Sequence, residues 1–79
     1  MAGIRFFAAA AEAAGSETTT VDVASIGDLR TFLSDQHGTE FARILSRCSL
    51  LVNGTRAADD AVPLAGTDTV DVLPPFAGG

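Results

Sequence analysis

The chain has no tryptophan, no tyrosine and no lysine, only one cysteine, one histidine and three prolines. Each shortage excludes something. One cysteine cannot form a disulfide framework, and one histidine with one cysteine cannot complete a structural zinc site. Without lysine there is no side-chain amine for a Schiff base or an isopeptide bond. No run approaches the roughly 20 apolar residues of a membrane span. The stretch from Met1 to Ala14 lacks the basic flank and uniform apolar run of a signal peptide. These absences point to a soluble protein of a reducing cytoplasm.

What is present is enough for one small domain of 79 residues. The chain is 47% hydrophobic and 19% charged, too apolar to stay disordered. Five arginines face ten carboxylates, for a net charge of −5. Such a balance repels nucleic acid and anionic membranes and calls for a partner that is basic where they meet.

Periodicity supplies the elements. Gly3 to Ala8 reads as a short strand with Ile4 and Phe6 on one face and Arg5 and Phe7 on the other. The alanine run from Ala8 to Ala14, stopped by Gly15, predicts one or two helical turns. Glu17 to Val23 alternates as a β-branched strand, with Thr19, Val21 and Val23 on one face. Ser25 three residues before Asp28 resembles a capping box, and Leu29, Phe32 and Leu33 follow at helical spacing up to Gly38. A shorter helical pattern starts at Thr39, with Phe41, Ile44 and Leu45 as its apolar residues. Cys48 to Asn53 is a third strand, ended by an Asn53-Gly54 hairpin signal. Arg56 to Val62 is polar and holds at most a short edge strand and a loop. Asp68 to Leu73 closes the pattern, Val70 and Val72 inward, Thr69, Asp71 and Leu73 outward.

The order predicts a two-layer α+β domain: a mixed sheet of four to five strands, one main helix across it, and short extra helices. If the first and last strands pair at the centre, Phe7 and Leu73 form an apolar spot on a face otherwise made of Thr, Asp and Arg. The domain spans residues 1–73, and residues 74–79 form an extended, flexible tail ending in Gly-Gly.

The side chains offer little catalysis. Asp59-Asp60 reads as a solvated turn. His37, at a helix end, reads as a cap for carbonyls or a partner of the helix dipole. Cys48 shares parity with Leu50 and Val52 and reads as a small core hydrophobe. No Gly-rich loop precedes a helix, and no metal site is expected. The tail remains. Pro74-Pro75 favours an extended exit from the sheet, six residues reach roughly 20 Å, and Gly78-Gly79 adds no side-chain width. A narrow tunnel in another protein can accept such a tail and present its carboxylate.

The segments Ile4-Arg5-Phe6-Phe7-Ala8, Leu51-Val52-Asn53-Gly54 and Leu73-Pro74-Pro75-Phe76-Ala77-Gly78-Gly79 resemble the ubiquitin-like β-grasp sulfur carriers of the MoaD/ThiS type. The double proline and the Phe-Phe-Ala start are most similar to the small subunit of molybdopterin synthase. The resemblance covers the whole chain. It implies a cosubstrate, not an enzyme by itself. A ubiquitin-activating-like adenylyltransferase (MoeB-like), using ATP and Mg²⁺, activates the Gly79 carboxylate. A sulfurtransferase or cysteine desulfurase supplies sulfur, and the Gly79 thiocarboxylate donates it to cyclic pyranopterin monophosphate within the large subunit (MoaE-like), in a heterotetramer. Gly78, Ala77, Phe76, Pro75 and Pro74 would enter the partner, with no cofactor resident on the chain. Phe7 and Leu73 would hold the partner. Arg56 stands where the family often has an apolar contact, which implies either that this contact is absent or that an acidic partner group replaces it. A sulfur carrier for thiamine or cysteine synthesis, a ubiquitin-like modifier and a plain binding module with an inert tail are the competing readings.

Overall fold

The computed structural model describes residues 1–75. The elements are β1 (Ala2–Phe6), α1 (Ala9–Ala14), β2 (Thr18–Val21), α2 (Ile26–His37), α3 (Thr39–Leu45), β3 (Ser49–Val52), β4 (Thr55–Arg56) and β5 (Thr69–Leu73). The strands form one mixed sheet in the order β2-β1-β5-β3-β4. β1 and β5 run parallel at its centre, Ile4 beside Val70 and Phe6 beside Val72. The other pairs are antiparallel. This is the α+β arrangement expected from the element order.

Alternation in the central strands sets the core. Ala2, Ile4 and Phe6 on β1 and Val70 and Val72 on β5 are buried, as are Ile26, Leu29 and Leu33 on α2 and Phe41 and Leu45 on α3. Each of the larger side chains, Val, Leu, Ile or Phe, contributes about 1.5–3 kcal/mol when fully removed from water. The His37 ring sits 4.9 Å from Phe41 and 6.1 Å from Phe6 between ring centres, an aromatic packing role added to its place in the last turn of α2, at the negative end of the helix dipole. Phe32 departs from the sequence reading. It is 43% exposed, because the buried stripe runs through Ile26, Leu29 and Leu33 and leaves Phe32 on its margin.

The first turn of α2 shows what the polar segment before β5 does. The Ser25 hydroxyl accepts the Asp28 N–H at 3.2 Å, as a helix cap should. The Ile26 and Gly27 N–H groups donate to the carbonyls of Val62 and Asp60 at 2.9 and 3.0 Å. The loop therefore satisfies helix donors that would otherwise need water. In this segment the edge strand is confined to Thr55 and Arg56.

The β3–β4 hairpin turns on two residues with left-handed backbone, Asn53 (φ 50°) and Gly54 (φ 86°). Asn and Gly are suited to this geometry. Asn53 is also a clamp: its Nδ2 donates to Asp68 at 2.8 Å and its Oδ1 accepts the Thr69 N–H at 2.9 Å. Asp68 further accepts the Ala65 N–H at 2.8 Å. That backbone bond and the Asn53 amide hold the Asp68 carboxyl below the usual carboxylate range.

Two predictions follow from this packing. Leu29→Ala should cost about 2–5 kcal/mol in urea denaturation, while Phe32→Ala should cost about 1 kcal/mol or less. A depressed folded pKa adds stability above the unfolded value and loses it as pH falls through the folded value. Asp68→Asn should therefore be less stable than wild type at neutral pH. The gap in urea midpoint should close as pH falls through and below the usual carboxylate range.

Candidate functional site

The face of the sheet turned away from the helices gathers the outward residues of all five strands. Strand register sets Arg56, Leu51, Asp71, Arg5 and Thr18 in one row across it. In the next row Ser49 pairs with Leu73. The β1–β5 register, carried one residue beyond Phe6, brings Phe7 level with Leu73, and the Phe7 N–H donates to the Val72 carbonyl at 3.2 Å.

The middle of this face is electrically closed. Arg5 Nε and Nη2 donate to the two Asp71 carboxylate oxygens at 2.6 and 2.8 Å, a bidentate pair. Hydrogen bonding to Asp71, then its charge, pushes the Arg5 pKa further above its ordinary value, so the guanidinium stays charged. Its central carbon lies 5.8 Å from the centre of the Phe7 ring, within cation–π range. Around this pair lie the apolar side chains. Phe7 is 39% exposed, and Leu51 and Leu73 are half-buried. Arg56 is exposed beside Leu51 and makes no ion pair among the described residues.

Phe7 is followed by an unusual turn. Ala8 has φ 51° and ψ −126°, a backbone conformation that glycine takes freely and that costs other residues of order 1–3 kcal/mol. The Phe7 carbonyl accepts the Ala10 N–H across this turn at 3.0 Å. Ala8 then starts α1 without a side-chain cap.

The structure brings together three of the residues expected at the site: Phe7, Leu73 and Arg56 share one face. Pro74, half-buried, and Pro75, exposed, continue from β5 outside any strand. Phe76, Ala77, Gly78 and Gly79 lie outside the described residues. Sequence reasoning missed Leu51, although the parity that turns Leu50 inward also turns Leu51 outward. It missed the Arg5–Asp71 pair, which needs the register, and the strain at Ala8, which an alanine run conceals.

Three other titratable groups serve the fold. The Cys48 thiol is 9% exposed in the chain and donates to the Ile44 carbonyl at 3.2 Å. Burial pushes its pKa up, away from thiolate chemistry. Asp59 accepts the Ala61 N–H at 2.8 Å, and Asp60 accepts from Arg30 Nε at 3.0 Å. Among the described residues no cluster of His, Cys, Asp or Glu could hold a metal ion. None of their helices is long and apolar enough to cross a membrane. What the arrangement offers is an exposed sheet face, apolar along one strip and neutralised at its centre.

A mixed sheet with parallel first and last strands at its centre and a helix across one face is a ubiquitin-like β-grasp domain. Residues 4–79 match the ThiS family model, and the chain belongs to the ThiS family. Among solved structures it is similar to SAMP1 from Haloferax volcanii, with 31% identity, a TM-score of 0.81, and 99% of this chain and 98% of that one covered. SAMP1 from Methanosarcina acetivorans shares the fold at 21% identity and TM-score 0.84, with 99% and 95% covered. So does a structure of subunits 1 and 2 of the molybdopterin-converting factor from Helicobacter pylori, matched at 24% identity and TM-score 0.74, with 99% and 97% covered. No curated protein sequence matches the chain significantly.

Proposed function

We propose that the chain is the sulfur-carrier small subunit of a molybdopterin synthase, with Gly79 as its reactive residue. One observation carries this reading. β5 lies at the centre of the sheet and ends at Leu73, on the apolar strip with Phe7 and Leu51. A partner that grips this strip holds the chain at the last strand residue before the segment Pro74-Pro75-Phe76-Ala77-Gly78-Gly79.

The chemistry follows from a carboxylate that is ionised at neutral pH and a poor electrophile. A ubiquitin-activating-like enzyme joins the Gly79 carboxylate to AMP, with ATP as donor, Mg²⁺ as its counter-ion and pyrophosphate released. Persulfide sulfur from a sulfurtransferase or cysteine desulfurase displaces AMP, and thiol reduction frees the thiocarboxylate. The tail then enters the large subunit and gives its sulfur to cyclic pyranopterin monophosphate. The chain is a cosubstrate of a cytoplasmic sulfurtransferase reaction. Its fold positions one atom, and the catalytic groups belong to its partners. The likeness to a subunit 1 that was solved with a subunit 2 supports the large subunit as partner.

A second reading is supported by the likeness to SAMP1 of Haloferax volcanii, a small archaeal modifier protein. As a modifier, the chain would pass its activated Gly79 to an amine on another protein. Its five basic residues are all arginine, so lysine-linked chains could not grow on it.

Mass spectrometry separates the readings. The intact mass first establishes Gly79 as the last residue. After incubation with an activating enzyme, ATP and a sulfur source, the C-terminal peptide should carry sulfur in place of one oxygen at Gly79. The change must be localised, because oxidation of Met1 or Cys48 gives nearly the same mass. High-mass conjugates would favour the modifier, and an untouched tail with active enzyme would sink the carrier. Transfer to cyclic pyranopterin monophosphate with the large subunit selects this pathway over thiamine or cysteine synthesis. Separately, Phe7→Asp should weaken the large-subunit complex by about 2 kcal/mol or more and leave the unfolding midpoint nearly unchanged. An equal loss of stability would instead make Phe7 a core residue.

A further inference from the structure

Residue 8 breaks two local rules at once. Its backbone sits at φ 51° and ψ −126°, where glycine is favoured, and it precedes α1 at a position where Ser, Asp, Asn or Gly would cap the helix. Alanine serves neither need. Ala8 is exposed, so its methyl fills no space in the core. Local rules broken without a stability gain mark places held by another constraint.

That constraint has a location. Ala8 lines an open cleft of about 330 Å³ between the end of β1, the turn into α1 and the start of β2. Phe7 and Ala11 add apolar walls, and Arg5, Glu17 and Thr18 border it. The Arg5 charge is already matched by Asp71, and Glu17 is exposed to water at the rim. The cleft has apolar walls that suit a hydrocarbon. It is continuous with the outward strip, since Phe7 belongs to both. We propose that this cleft receives one apolar side chain of the protein that covers Phe7 and Leu73, and that Ala8 is kept against its backbone preference for the contact its methyl makes there. The proposal rests on the reading of that strip as a docking face.

The test uses the full chain, two variants and the molybdopterin synthase large subunit of the same organism, by calorimetric titration and urea denaturation. Ala8→Gly should raise the urea midpoint yet weaken binding about fourfold, the worth of one buried methyl. Thr18→Arg, on an exposed edge-strand position, should fill the cleft and weaken binding about tenfold or more, with the midpoint unchanged. Wild-type binding that neither variant alters would overturn the cleft alone. A lower midpoint for Ala8→Gly would overturn the claim that residue 8 is held against its preference. No binding by the wild-type chain would overturn the docking face itself, and the cleft's occupant with it.

Discussion

Gly3 to Phe6 lie parallel to Thr69 to Val72 at the centre of the sheet, and nearly everything else in the molecule is arranged around that pairing. Parallel neighbours cannot be joined by a tight turn, so the chain between them must carry its end back to the same edge. The residues in between do so while laying α2 and α3 over one side of the sheet. Closing so long a loop is entropically costly, though the cost grows only slowly with length. Burial of Ile4, Phe6, Val70 and Val72 against Ile26, Leu29 and Leu33 offsets it. The same pairing brings Arg5 to Asp71, 66 residues away in sequence. One constraint thus makes the core on one side and the outward face with its Arg5–Asp71 pair on the other.

How much of this could be read beforehand depended on whether a feature is local. Alternation in Ile4-Arg5-Phe6-Phe7 and in Val70-Asp71-Val72-Leu73 assigns faces directly, because the side-chain period of a strand is two. The Ser25 cap and the Asn53-Gly54 turn are local chemistry and were legible for the same reason. Register is not local. The salt link between Arg5 and Asp71, the row that adds Leu51 to the face, and the capping of Ile26 and Gly27 by a distant loop all need the strands and helix already in place. Phe32 was misread because helical spacing gives a stripe with a width, and only packing decides where its margin falls. Ala8 was hidden by its neighbours, since an alanine among alanines reads as helix whatever its φ.

Charge is distributed so that the acidic chain still has a face of another character. Asp28, Asp35, Glu40, Asp59 and Asp60 are exposed on the helices and the connecting loop. On the outward face the carboxylate in the central row, Asp71, is covered to 15% exposure and committed to Arg5. Arg56 stands at its margin. A protein approaching over the loops meets repulsion if it is acidic. One approaching over the sheet meets a neutral apolar strip and a single cation. In the proposed reading, recognition by this face depends more on fit than on long-range attraction.

The similar structures bound how little of the sequence this requires. Identities of 21% and 31% accompany TM-scores of 0.84 and 0.81, so most side chains can change while the arrangement persists. Buried positions tolerate exchange among hydrophobic residues of similar volume, and the core pattern alone then suffices for the fold. The choice of partner falls instead to the few residues whose form the core does not dictate. Leu51 need not be apolar to pair with Asp71, Arg56 need not be charged to end β4, and residue 8 would fold more easily as glycine. In the proposed reading, contact with another molecule accounts for side chains to which stability is indifferent or opposed. On this face those residues surround the strand that leads to Gly79.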